Sequence, residues 1–281
     1  MMKYLYKGVH NFKQAGGSLR KLSIKRAYIY SYDALHAMFK DLPDLEVIQF
    51  HQCSVNGEIS KLIGKVLSDY KNIIELDLTK CTLYQDDAKN IADGLMRAKK
   101  LEVIRLREVS GVGTGITPIL YNLAFSPRIK YVDISNIQSI YNDSNTCEGI
   151  YKLVKISGSL EYLNMNNTQI FDGLTEDFFK ALGENKTIRA LLMDSSSRFN
   201  NRVEMLGKAV AMNNKKNGVL DIISAVGGFD TNMFNNFLNN MNISDHDHEL
   251  WYGDRMTANN MKGDELEKKF HNPIKIINLG R

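Results

Sequence analysis

Seven times along the chain, an apolar residue is followed by two variable positions, a second apolar residue, one variable position and a third apolar residue. The copies are Leu19-Leu22-Ile24, Leu45-Ile48-Phe50, Ile73-Leu76-Leu78, Leu101-Ile104-Leu106, Ile129-Val132-Ile134, Leu160-Leu163-Met165 and Ile188-Leu191-Met193. Their first positions lie 26, 28, 28, 28, 31 and 28 residues apart, a regularity that marks a repeat architecture. Alternation across the second and third apolar positions predicts a strand with one buried face. Three positions further on stands a small or apolar residue that turns the chain inward: Ala27, Cys53, Cys81, Val109, Ile137 or Thr168. Apolar residues at helical spacing follow, as in Ile59, Leu62, Ile63 and Val66, and again in Ala88, Ile91, Ala92 and Leu95. Each unit therefore reads strand, loop, helix, loop.

Weaker copies are Leu220-Ile223-Ala225 and Ile274-Ile277-Leu279, with a degenerate one near Leu250-Trp251-Tyr252. The expectation is one domain over 1–281 with about nine units, clear across 18–194 and degenerate across 195–281. Before the first strand, Gly16-Gly17 stops a helix containing Leu5, Val9 and Phe12. Irregularity is expected after Ile134 and after Met193, where the spacing stretches to 31 and 32.

This pattern resembles the leucine-rich-repeat family, and the 28-residue helical unit is similar to its ribonuclease-inhibitor class. The resemblance covers Ser18 to Asp194 well and the rest loosely. It implies an α/β solenoid of horseshoe form, with a parallel sheet on the concave face and helices on the convex face. At the turn position the family carries Asn or Cys, and only Cys53 and Cys81 comply; both are read as buried structural cysteines. The class includes inhibitors, GTPase activators, actin-regulator scaffolds, immune sensors and ciliary proteins, so the resemblance specifies fold far better than function.

The period of two also says which side chains leave the core. The first strand offers Lys21, Ser23, Lys25 and Arg26 to solvent, the fourth Arg105 and Arg107, the fifth Tyr131 and Asp133, the sixth Tyr162 and Asn164, and the seventh Leu192. The face thus begins basic, becomes mixed and ends apolar. Tyr and Arg are enriched at interface hot spots, and Tyr131 and Tyr162 are equivalent positions whose rings should be neighbours. Strand surfaces also carry Tyr for packing alone. The candidate protein-binding residues are Arg105, Arg107, Tyr131, Asp133, Tyr162, Asn164, Leu192 and Trp251. An apolar strip of Leu192, Ile222, Val226 and Ile276 should continue the face beside Trp251, covered by a partner or by the segment from Asp254 to Lys269.

Charge and composition narrow the classes. The 36 Lys and Arg against 32 Asp and Glu leave +4, short of the basic density of a nucleic-acid binder. No apolar run is long enough to cross a bilayer. No secretory signal opens the chain, and three widely spaced cysteines make no disulfide framework, so a cytoplasmic location is expected. Gly111-Val112-Gly113-Thr114-Gly115 lies where phosphate loops sit, but lacks the Lys-Ser/Thr of a P-loop. Asp245-His246-Asp247-His248-Glu249 gathers metal-competent groups without a third His or Cys nearby. No catalytic arrangement can be defended from spacing, so neither cofactor, metal nor enzymatic activity is expected. The expected role is a non-catalytic interaction scaffold in a multi-protein cytoskeletal or ciliary assembly. The alternative is a GTPase activator or regulator that uses Arg105 and Arg107. Neither end shows a polar capping repeat, which suggests a piece of a longer protein or ends that pack on something else.

Overall fold

The structure, a computed structural model, describes residues 2–29, 31–140, 143–194, 200–216, 220, 222–226, 250–252 and 276–278. It is an α/β chain in which strands and helices alternate. The first helix, α1 (Met2–Gln14), leads into β1 (Lys21–Lys25), α2 (Tyr32–Lys40), β2 (Val47–His51), α3 (Glu58–Asp69), β3 (Glu75–Asp77), α4 (Gln85–Leu95) and β4 (Val103–Arg105). There follow α5 (Ile116–Ala124), β5 (Tyr131–Asp133), α6 (Ser144–Ile156), β6 (Tyr162–Met165), α7 (Glu176–Glu184), β7 (Ala190–Asp194), α8 (Asn200–Lys215) and β8 (Ile222–Val226). Two short strands, β9 (Leu250–Tyr252) and β10 (Ile276–Asn278), complete the described strands, and short 3-10 turns lie at Gly113–Gly115, Gln138–Ile140 and Ile170–Gly173.

All strand pairings are parallel and the sheet is open, in the order β1-β2-β3-β4-β5-β6-β7-β8-β10-β9. Equivalent residues of successive units face one another, as in Leu22↔Ile48 and Ile104↔Val132. The order departs from simple sequential stacking at the end, where β10 lies between β8 and β9. The weak triplet at Ile274 also slips by one residue. Ile276 pairs with Ile223, in the row of the core residue Leu191, and not with the outward row expected for it. A two-residue period makes that slip a change of face.

Every third apolar position of the seven clear copies is buried, from Ile24 at 5% exposure to Phe50 and Met193 at 0%. The helical positions read from the pattern are buried too, including Ile63, Ala88 and Ile91. Cys53 and Cys81 fill the turn as expected, and each thiol donates to a carbonyl of the preceding unit: Cys53 Sγ to Ile24 O at 3.5 Å, Cys81 Sγ to Phe50 O at 3.1 Å. The hydrogen bond with the neighbouring Cys53 thiol, and then burial, push the Cys81 thiol up. After Ile134 the extra residues lengthen a helix: α6 has 13 residues and starts at Ser144, inside the stretch read as irregular. The segment 195–199 lies outside the described residues.

One backbone feature recurs with the repeat. Arg26, Gln52, Lys80, Glu108, Asn136 and Asn167, two positions after each third apolar residue, all have φ between 52° and 60°. None is glycine. This left-handed conformation is unfavourable for an L side chain. It lets the N–H continue the inter-unit ladder beyond the strand: Arg26 N donates to His51 O, Lys80 N to Arg107 O and Asn136 N to Asn166 O, each at 2.8 Å.

Successive helices pack on one another, closest at α3 and α4. There Gly64 and Gly94 meet backbone to backbone. A methyl group on Gly94 would fall on the Gly64 carbonyl oxygen, and one on Gly64 on the Asn90 carbonyl oxygen. Beside this contact sits Asp87, 6% exposed. Its carboxylate accepts from Gly57 N–H at 2.6 Å, from the Ser60 hydroxyl at 2.8 Å and from Tyr84 N–H at 3.2 Å. It thereby caps its own helix and anchors the start of the previous one. Asparagines close the other helix ends. Asn122 donates to Ala92 O at 2.7 Å, Asn185 to Val154 O at 2.8 Å and Asn213 to Leu182 O at 3.1 Å, all carbonyls of a helix's last turn; Ala92 O and Leu182 O also accept a backbone N–H.

Candidate functional site

The helices cover one face of the sheet; the other face is the candidate surface. Strand register organises it into rows. One row runs Lys21, Val47, Glu75, Val103, Tyr131, Tyr162, Ala190, Ile222. The next runs Ser23, Gln49, Asp77, Arg105, Asp133, Asn164, Leu192, Ser224, Ile277, Trp251. Five of the eight sequence-predicted residues therefore share a row: Arg105, Asp133, Asn164, Leu192 and Trp251. The side chains of Trp251, Ile222, Val226 and Ile276 lie outside the described residues, as does the segment from Asp254 to Lys269.

A lateral chain of contacts crosses the centre of this face. Gln49 Nε2 donates to Glu75 Oε1 at 3.0 Å, and Glu75 Oε1 pairs with Arg105 at 2.8 Å. The Arg105 guanidinium lies 4.8 Å from the centre of the Tyr131 ring, and Tyr131 stacks on Tyr162 with centroids 4.3 Å apart and planes 4° from parallel. Each contact uses side chains from adjacent strands, so the order of the units fixes it. Beside it, the His51 ring meets Asp77 Oδ2 at 3.0 Å, and Arg107 pairs with Glu108 at 3.3 Å.

Exposure differs from the sequence-based expectation. Lys21, Ser23 and Lys25 are open to solvent, and Arg105, Arg107, Tyr131 and Asn164 are half-buried. Tyr162 at 3%, Leu192 at 2% and Asp133 at 5% are buried, although all three lie in outward rows. Neighbours on that face bury them: the Tyr131 ring lies flat on Tyr162, and Tyr162 and Leu192 flank Ala190. A reading by alternation sees which side a residue points to and not how crowded that side is.

Two of the candidates have a local task. Asp133 Oδ1 accepts from Ser135 N–H at 2.9 Å and Asn164 Oδ1 from Asn166 N–H at 3.0 Å, and Asp77 does the same for Thr79 at 2.9 Å. These side chains hold the turn into the left-handed position. Burial pushes the Asp133 carboxyl above its ordinary range, and the opposing pull of the Ser135 groups, Arg107 and Arg105 does not cancel it.

The remaining motifs resolve into structure. Gly111 and Gly113 carry φ of +81° and +45°, and Gly115 sits against the Gln85 backbone with no room for a Cβ. Among the described residues no cluster of three or more His, Cys, Asp or Glu could hold a metal ion. The His246 and His248 motif lies outside them. No described helix is long and apolar enough to cross a membrane. Sequence reasoning missed Asp87, the Gly64–Gly94 contact and the helix-end asparagines. The one available signal was Asn185 and Asn213 standing 28 residues apart, at the repeat spacing.

No family model matches the chain. Over 139 residues, 48% of the chain, it is 27% identical to NLR family CARD domain-containing protein 4 of Rattus norvegicus. That stretch is 13% of the rat protein, so the chain spans a small part of its length. A superposition on the X-ray structure of the Paramecium bursaria Chlorella virus arginine decarboxylase covers 98% of this chain and 68% of that one, with 10% identity and a TM-score of 0.21, too low to imply a shared fold. The distant likeness to the rat protein, together with the all-parallel sheet of alternating strand–helix units, is consistent with a leucine-rich-repeat-like chain.

Proposed function

We propose that this chain is a leucine-rich-repeat solenoid of horseshoe form that binds a protein partner through the sheet face, without catalysis, as part of a larger assembly. The observation that carries this is the row from Glu75 through Arg105 and Tyr131 to Tyr162. Ion pair, cation-π contact and ring stack hold its side chains in one arrangement before any partner arrives. A face ordered in advance loses little side-chain entropy on binding, and half-exposed Tyr and Arg are hot-spot types. A cytoskeletal or ciliary assembly is drawn from the family resemblance, and a cytoplasmic location from the opening residues and the three widely spaced cysteines.

Photo-crosslinking side chains placed at Val47 or Val103, on the sheet face, are expected to capture the partner from native extract. The same group at Lys65 or Lys89, in the helix layer, is not. Capture from the helix layer alone would overturn the reading. GTP hydrolysis by small GTPases should be unchanged by the protein. Stimulation that disappears in Arg105→Ala or Arg107→Ala would replace the scaffold with the GTPase-activating alternative.

A further inference from the structure

Each unit passes from its helix to the next strand at the same edge of the sheet, because the strands are parallel and in register. Three successive passages, 70–74, 96–102 and 125–130, carry a charge of their own. They hold Lys71, Arg97, Lys99, Lys100, Arg128 and Lys130 against one carboxylate, Glu102, a balance of six less one, or +5. The passages on either side differ: 41–46 holds three carboxylates and no cation, and 157–161 one carboxylate and no cation. The cationic stretch thus lies in the middle of the sheet, between described units. Backbone bonds join it into one surface, Glu102 N donating to Ile74 O at 2.9 Å and Lys130 N to Glu102 O at 2.8 Å.

Most of these cations have no acid. Lys130 pairs with Glu102 at 3.0 Å, but Lys100 donates to Asn72 at 3.0 Å and Arg97 to Ser68 at 3.4 Å, both neutral. Among the described residues Lys71, Lys99 and Arg128 form no ion pair. At the opposite edge of the same units Lys80 and Arg107 both pair with Glu108, at 3.2 and 3.3 Å. Helix dipoles do not account for the cations, since the last turns of α3, α4 and α5 contain no basic residue. Among the charges two large apolar side chains stand out into solvent, Met96 at 69% exposure and Phe125 at 70%.

We infer that this edge seats on the surface of an anionic bilayer, with Met96 and Phe125 inserted at the acyl boundary and the cations set against lipid headgroups. Protruding apolar side chains select a bilayer over an acidic protein segment, because a bilayer receives them wherever they stand and a protein needs a shaped pocket for each. Shallow apolar insertion and headgroup attraction are each weak alone and act together here. Seating of this kind is peripheral and does not depend on the sheet face having a partner.

The test co-sediments the full chain with vesicles of phosphatidylcholine and phosphatidylserine in equal parts, and with vesicles of phosphatidylcholine alone. Binding to the mixed vesicles only is expected, weakening with added salt. Lys99→Glu with Arg128→Glu should weaken it about a hundredfold, since each basic residue near an anionic surface counts for about fivefold. Met96→Ser with Phe125→Ser should weaken it about tenfold. Both variants should melt as the wild type does, because the altered side chains are exposed. Lys21→Glu with Lys25→Glu, an equal change of net charge on the sheet face, should leave vesicle binding unchanged. Phe125→Trp should add an emission that brominated acyl chains quench beyond the wild-type level. No vesicle binding, equal binding to both kinds of vesicle, equal loss in the Lys21 and Lys25 variant, an unquenched Trp at 125, or tighter binding of a poly-glutamate peptide or single-stranded DNA than of the mixed vesicles would each overturn the inference.

Discussion

The helix layer and the outward face of the sheet both join unit to unit with polar side chains, but they do so in different surroundings. In the helix layer the joints are aimed at backbone, from the buried Asp87 on Gly57 and the buried Asn213 on Leu182 to the half-buried Asn185 on Val154. On the sheet face the joints run side chain to side chain and most are partly open to water, as at Glu75 and Arg105, with side chains 19% and 22% exposed. Buried partners are costly to lose, because the group left behind has no water to turn to. Half-exposed ion pairs contribute little to stability. The helix layer therefore holds the units together, and the sheet face can vary its residues at little cost in stability.

The largest effect is expected at Asp87. Alanine there removes the acceptor of two backbone N–H groups, while the Ser60 hydroxyl keeps Gly57 O at 2.7 Å, and should lower unfolding free energy by about 2 kcal/mol in urea denaturation. A loss below about 1 kcal/mol would mean that water replaces the carboxylate and that the layers do not differ as described. Next comes Gly94→Ala. The added methyl has to displace the Gly64 carbonyl, and overpacking of this kind costs about 1–3 kcal/mol. An unchanged melting temperature would show that α3 and α4 separate freely.

The sheet face offers a change of opposite sign. Asp133→Asn keeps an oxygen for Ser135 N–H, as Asn164 does for Asn166, and removes a buried charge. We expect a gain of about 1 kcal/mol at neutral pH. The folded carboxyl binds its proton more tightly than the unfolded one, whose ordinary value is 3.8. The wild type therefore loses stability as the pH rises from that value through the raised folded value, and the penalty is complete above it. Below pH 3.8 the variant's advantage should vanish. An advantage independent of pH would place its origin outside this carboxyl. The smallest effect is expected for Arg105→Ala, within about 1 kcal/mol of the wild type, because its ion pair with Glu75 is partly solvated. A loss of several kcal/mol would make the central row structural and remove the contrast between the two layers.

How much of this could be read in advance depended on whether one unit sufficed to see it. Leu76, Leu78 and Cys81 are buried in every unit of this kind, so spacing alone located them. The rows of Arg105, Tyr131 and Tyr162 followed from the same period, as did the nearness of the two tyrosine rings. The burial of Tyr162 and Leu192 did not follow, because it depends on what neighbouring strands crowd against them. Asp87 was missed because its partners Gly57 and Ser60 belong to the preceding unit and come within reach only on stacking. Ile276 had no regular spacing to anchor its register, and pairing with β8 decided which row it joined.

By itself the sequence determined the unit: its apolar triplet, its inward turn and its amphipathic helix, all set by local periodicity that holds whatever surrounds them. The tertiary structure alone decided which polar side chains became joints, which outward residues were buried, and where the left-handed residues after each strand found acceptors. Those outcomes depend on distances between residues about 28 positions apart, which stacking sets and no single unit contains.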